Sequence, residues 1–120
     1  MKTRERSSTQ YNVRKAEQFW SGRLSSTNSL AAVLTYNAHP ELNRLYDEWE
    51  KQSLMEHLGK GLRGKRLLDL GAGVGRISLL AATQGAEVIA LDNSRAMLER
   101  LSKSAARSRL SARITTVHAA

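Results

Sequence analysis

The chain has no cysteine and a single proline among its 120 residues. The missing cysteine excludes a disulfide framework, Cys-ligated zinc, iron–sulfur clusters and thiol catalysis. Aromatic residues are few, and all six lie between Tyr11 and Trp49. Long apolar runs are missing as well. Ile77 to Ala82 is interrupted by Ser78, and no run approaches the roughly 20 residues that cross a bilayer. Residues 1–10 are charged and polar with no apolar stretch, so no secretory leader is expected and the expected location is cytoplasmic. Acidic side chains are the scarcer sign, 11 against 19 Lys and Arg, for a net charge of +8.

That charge is spread over both parts of the chain. Residues 1–66 hold 12 basic and 7 acidic side chains, and residues 67–120 hold 7 and 4. Mild clusters occur at Lys2/Arg4/Arg6, Lys60/Arg63/Lys65/Arg66 and Arg100/Lys103/Arg107/Arg109/Arg113. A basic chain can bind nucleic acid. No aromatic residues interleave with these clusters, however, so nucleic acid is a secondary expectation beside solvated helix faces.

The N-terminal half reads as helices. Residues 9–20 fit a short helix closed by Ser21-Gly22, and Ser25 to Ser29 read as a turn before the apolar run Leu30 to Leu34. His39-Pro40 opens a longer helix, since proline is tolerated in a first turn. Its apolar positions Leu42, Leu45, Tyr46 and Trp49 share one face, which predicts core packing for that face and solvent for Asn43, Arg44, Asp47, Glu48, Glu50 and Lys51. Gly59 stops the helix, and residues 59–65 form a basic, glycine-rich connector.

The pattern changes at Arg66. Leu67 to Leu70 is a short apolar run ending in glycines, and an apolar helix follows from Arg76 to Gln84. Glu87 to Asp92 is of strand length, Ser94 can cap a helix through Ser102 and onward, and Ala112 to His118 reads as a third strand. The order β-α-β-α-β with near-continuous apolar strands predicts an α/β chain with a parallel sheet covered on both faces.

A strand that runs through Gly71, Gly73 and Gly75 into a helix keeps side chains away from an approaching ligand. The helix N-terminus can then face a negative group. Asp92 ends the next strand, where a carboxylate can accept both hydroxyls of a ribose. The dinucleotide fingerprint G-x-G-x-x-G would need glycine at position 76, which is Arg, and Asp69 so near the loop would not help a pyrophosphate.

Leu67-Leu68-Asp69-Leu70-Gly71-Ala72-Gly73-Val74-Gly75-Arg76 closely resembles the first signature of class I S-adenosylmethionine-dependent methyltransferases. Val88-Ile89-Ala90-Leu91-Asp92-Asn93-Ser94-Arg95-Ala96-Met97-Leu98 resembles the second, and the resemblance spans roughly residues 41–120. It implies a Rossmann-like methyltransferase fold with S-adenosylmethionine as cofactor. By position, Gly71, Ala72, Gly73 and Gly75 would form the loop under the methionine moiety. Asp69 would hold that loop or the amino group, Asp92 would bind the ribose hydroxyls, and Asn93 and Met97 would border the adenine. Met97 also suits the core, and Asp69 and Asp92 also suit bracing or capping.

Residues 1–66 are expected to be a helical lead-in or cap, and residues 67–120 the first half of the cofactor-binding domain. The family's later strands are not in the sequence, so the sheet is expected to be incomplete, ordered 3-2-1, with the outer edge of its first strand open to dimerisation. No catalytic residue and no metal site is assigned. Tyr36, His39, Tyr46, Trp49, His57 and His118 are weak candidates, and Tyr11, Phe19 and Trp20 fit either a lid or a packing cluster. The expected function is methyl transfer to a small molecule. An RNA methyltransferase of the same fold is the alternative, followed by a non-catalytic fragment and a nicotinamide-dependent oxidoreductase.

Overall fold

The computed structural model describes residues 12–26, 29–34 and 39–120. Tyr11 and Tyr36 lie outside the described residues. Three helices come first: α1 (Val13–Ser26), α2 (Ser29–Val33) and α3 (Pro40–Leu58). The alternating part follows as β1 (Arg66–Leu70), α4 (Arg76–Thr83), β2 (Glu87–Asp92), α5 (Arg95–Arg107) and β3 (Ile114–His118). The strands form a parallel sheet ordered β1-β2-β3, with Arg66 opposite Glu87 and Asp92 opposite His118.

Both crossovers advance across the sheet in the same direction. Right-handed connections therefore put α4 and α5 on the same face. That face holds the core: Val88 and Ala90 are buried, and Ala81, Ala82, Ala86 and Leu62 cluster against Val88 with Leu67, Leu110 and Ile114 at the margin. The other face is bare, with Leu68 57% and Leu70 69% exposed and Ile89 and Val117 beside them. The strands are thus apolar on both sides, as expected, but among the described residues only one side is covered, where both were expected to be. The outer edge of β1 has no strand partner among the described residues.

Helix α1 does not end at Ser21-Gly22 but continues to Ser26. A glycine in a helix costs only about 1 kcal/mol, and the continuation buries Leu24 against Ala32, Val74 and Met97. The third strand starts two residues later than expected, because Ala112 and Arg113 belong to a short 3-10 turn that delivers Ile114 to the sheet.

Helix α3 is seated opposite to the expectation. Leu42, Leu45, Tyr46 and Trp49 point outward, with Trp49 62% exposed, while Asn43 is the buried residue of the helix. Arg76 at the start of α4 explains the inversion. Its guanidinium lies 2.7 Å from Asp47 and 3.0 Å from Glu50, so α3 turns its acidic side to the body. Lys51 adds a second contact to Asp47 at 2.8 Å. Burial pushes the Asp47 carboxyl up, but the hydrogen bonds and charges of Lys51 and Arg76 outweigh it and hold the group below its ordinary value.

Candidate functional site

The loop between β1 and α4 is tied to the end of β2 by its own backbone. Gly71 and Ala72 N–H both donate to the Leu91 carbonyl at 2.9 and 3.0 Å, and Gly75 N–H donates to the Ala72 carbonyl at 2.9 Å. Gly73 N–H donates to Asp92 Oδ2 at 2.8 Å, while Ser94 N–H donates to Asp92 Oδ1 at the same distance. Asp92 therefore joins the loop to the next turn, and it is buried. These four N–H groups of the loop are satisfied internally. What the loop offers a ligand is a backbone surface without side chains.

The glycines differ in what they do. Gly75 takes φ 87, and a Cβ there would stand 2.5 Å from Leu101 Cγ, so this glycine lets α5 pack against the loop. Gly73 takes φ 57 with Val33 Cγ1 only 3.2 Å from where its Cβ would be. Gly71 faces open space.

A cavity of about 360 Å³ opens at the C-terminal ends of β1 and β2, within the usual size of cofactor sites. Gly71, Gly73, Leu91, Asp92, Asn93 and Met97 line it from the sheet side. Trp20 of α1 and Val33 of α2 close it from the other, with Ala119 and Ala120 at the rim. Of the seven site residues expected from the sequence, Gly71, Gly73, Asp92 and Asn93 thus meet at one cavity. Asp69, Ala72 and Gly75 stand behind it. Asp69 accepts a 2.6 Å hydrogen bond from Ser78 Oγ and so ties β1 to α4. Met97 is buried beside Leu24, Ala32 and Val74, as its core reading expects, and it also lines the cavity.

Two contacts fasten α1 over this opening. Ser21 Oγ lies 2.8 Å from Ser94 Oγ, and Ser94 Oγ also accepts from Met97 N–H as the cap of α5. His118 Nε2 lies 3.1 Å from the Asn93 carbonyl and 3.3 Å from Glu17 Oε1. Both neighbours are acceptors, which assigns a proton to Nε2. Sequence reasoning missed Val33. It left Phe19 and Trp20 open between a lid and a packing cluster, and the two rings stack edge to face at 5.1 Å while Trp20 also lines the cavity.

The other candidates lie elsewhere. His39 caps α3 by accepting from Glu41 N–H, and His57 Nδ1 sits 2.7 Å from the Ser53 carbonyl. Tyr46 and Trp49 pack against each other, rings 5.7 Å apart, on the exposed side of α3. Among the described residues, no group of three or more His, Asp or Glu side chains could hold a metal ion, and no helix is long and apolar enough to cross a membrane.

Comparison with known proteins bears on the fold and family of residues 67–120. The sequence model of the family described as "Methyltransferase domain" matches residues 67–120. A 23S rRNA uracil-C5-methyltransferase of Halomonas elongata is 57% identical over 47 residues, which are 39% of this chain and 10% of that protein. A biotin biosynthesis bifunctional protein of Cellvibrio japonicus is 40% identical over 68 residues, 57% of this chain and 13% of its own. Among solved structures, phosphoethanolamine N-methyltransferase 1 of Haemonchus contortus, with phosphoethanolamine and S-adenosylhomocysteine, matches at TM-score 0.67 and 17% identity, over 90% of this chain and 22% of that one. A 16S rRNA N2-methyltransferase of T. thermophilus, with AdoMet and guanosine, matches at TM-score 0.54 and 31% identity, over 72% of this chain and 22% of its own. The chain thus spans 10% and 13% of the two curated relatives and 22% of each of these solved chains. The glycine loop, the acid at the end of β2 and the parallel β-α-β-α-β order are all in place in residues 67–120, the part of the chain that matches the methyltransferase-domain family.

Proposed function

We propose that the chain binds S-adenosylmethionine in the cavity above the glycine loop and serves methyl transfer to a small-molecule acceptor. The observation that carries this reading is the convergence of Gly71, Gly73, Asp92 and Asn93 on one cavity of cofactor size. Asp92 remains able to act there. Each carboxylate oxygen spends one acceptor position on a backbone N–H, and a carboxylate has about four. One position per oxygen is left for the two ribose hydroxyls. Gly71 and Gly73 leave room for the methionine chain, and Asn93 and Met97 border the adenine.

The bound cofactor supplies an electrophilic methyl group on a positively charged sulfur. The chain's own residues hold and orient it, and Trp20 and Val33 keep water away from the side facing α1 and α2. A small acceptor suits a site roofed in this way. RNA as the acceptor is the second reading, favoured by the 57% identity to the rRNA methyltransferase over 47 residues. The same proposal includes residues 1–66 as a cap on the cofactor-binding part, a cytoplasmic location, and pairing of two copies through the open edge of β1.

Calorimetry with S-adenosylhomocysteine tests the cofactor site. Wild type binds, and Asp92→Ala loses at least about tenfold in affinity, the loss of a charged hydrogen bond. Affinity unchanged by Asp92→Ala refutes the ribose assignment. Transfer of a tritiated methyl group into a cell extract separates the acceptors, with label expected in the acid-soluble fraction and not in RNA.

A further inference from the structure

The edge of the sheet opposite the cavity is strongly basic. Three loops meet there. Leu62 N–H donates to the Gln84 carbonyl, Glu87 N–H to the Lys65 carbonyl, and Arg113 Nη1 to the Gly85 carbonyl at 2.8 Å. Leu62 and Leu110 pack in the same apolar cluster, which brings the connector before β1 beside the loop after α5. Segments 59–66, 84–87 and 107–113 thus form one surface. They hold seven Lys or Arg and one carboxylate, Glu87, and so carry six of the chain's net eight positive charges. Arg63, Lys65, Arg66, Arg107, Arg109 and Arg113 are all exposed. Among the described residues none of these six is in an ion pair, whereas Arg44, Lys51 and Arg76 are paired.

We propose that this edge is a docking surface for the phosphate backbone of RNA, separate from the cofactor cavity and independent of which acceptor takes the methyl group. Three chain segments far apart in sequence deliver cations to one side, which is how a run of backbone phosphates is met. No aromatic residue lies in these segments, so the contacts are to phosphates and sequence-tolerant, without base stacking. Strands of five residues separate the two edges by roughly 17 Å, so the two sites fill independently.

Fluorescence anisotropy of a labelled 12-nucleotide single-stranded RNA with the full chain, across a salt series, tests this. Binding is expected to weaken steeply with salt. Arg63→Glu with Arg107→Glu lowers the slope of log affinity against log salt by about 1.4 and weakens binding by about tenfold or more in low salt. Arg63→Gln with Arg107→Gln shows a smaller loss in the same direction and guards against misfolding of the reversed pair. Arg14→Glu with Lys15→Glu on α1 makes the same charge change elsewhere and leaves affinity within about threefold. Saturating S-adenosylhomocysteine leaves RNA affinity unchanged. Equal losses from the α1 pair and the edge pair overturn the proposal, since the charge then acts diffusely. So do competition by S-adenosylhomocysteine, absence of RNA binding by wild type in low salt, or binding to anionic phospholipid vesicles without binding to RNA. The salt series and the charge variants read out whether or not the cofactor reading holds; the competition arm is read only where calorimetry shows that S-adenosylhomocysteine binds.

Discussion

Arg76 Nη1 lies 2.7 Å from Asp47 Oδ1, joining the first residue after the glycine loop to the middle of helix α3. Both side chains are largely buried, at 18% and 14% exposure, so the pair acts in a medium less screened than water. It fixes which side of α3 meets the body, and it connects the cofactor loop to the N-terminal helices.

The pair makes the seating of α3 sensitive to acid. The Asp47 carboxyl sits below its ordinary value of 3.8, so its contribution is fully present above that pH. The contribution is lost as pH falls below 3.8 through the lower folded-state value. Asp47→Asn removes it at every pH, at a cost of about 1.5–3 kcal/mol, the range for hydrogen bonds to charged groups. Urea unfolding followed by circular dichroism checks this. The gap between wild type and Asp47→Asn should be the same at pH 7 and pH 5 and should shrink at pH 3. An unchanged gap at pH 3 would show that Asp47 is not held by Arg76 and Lys51.

Much of the alternating half was legible because its signals are local. Glycines after a strand, a serine cap at Ser94 and β-branched residues in β2 each act within a few residues of themselves. The seating of α3 was not legible, because it depends on Arg76, which is 29 residues from Asp47. Helical periodicity shows that Leu42, Leu45, Tyr46 and Trp49 share a face. It cannot show that a cation elsewhere draws the opposite face inward. The cavity divided in the same way. Gly71, Gly73, Asp92 and Asn93 were readable from the loop and the strand end. Val33, which reaches the cavity through the packing of α2, carried no signal of its own. Gly75 looked like a ligand glycine, yet the contact that requires it is with Leu101.

That contact gives a sharp contrast between two glycines of one motif. Gly75→Ala places a methyl 2.5 Å from Leu101 Cγ in a left-handed backbone, so it should cost about 2–4 kcal/mol from overpacking and strain together. Gly71→Ala meets open space at φ 72 and should cost only about 1–2 kcal/mol, from backbone strain. Thermal unfolding of both variants measures the difference. A smaller loss for Gly75→Ala than for Gly71→Ala would remove the packing role of Gly75.

The bare face of the sheet makes a different prediction. Leu68 lies at the centre of the open edge strand and is 57% exposed, so Leu68→Lys removes little buried surface. Stability should change by less than about 0.5 kcal/mol, as for other surface substitutions. Self-association should fall, because a charge on an open edge strand opposes pairing with another chain. Sedimentation velocity over a concentration series reads the outcome. Equal association of wild type and Leu68→Lys would place any contact between copies away from β1.

Trp20 offers an optical test of whether α1 closes over a ligand. The chain has two tryptophans, and their surroundings differ. Trp20 lines the cavity and carries the Arg23 guanidinium 5.9 Å from its ring centre, whereas Trp49 is 62% exposed on the outer side of α3. A ligand entering the cavity changes the polarity around Trp20 and leaves Trp49 in solvent. Titration with S-adenosylhomocysteine should therefore change the tryptophan emission of wild type and of Trp49→Phe alike, and leave that of Trp20→Phe nearly flat. Trp20→Ala should also weaken binding by about tenfold, the range for losing one aromatic wall of a site. A signal that follows Trp49 instead would put the ligand near the exposed face of α3, where Tyr46, Trp49, Leu54 and Ile77 border a second depression.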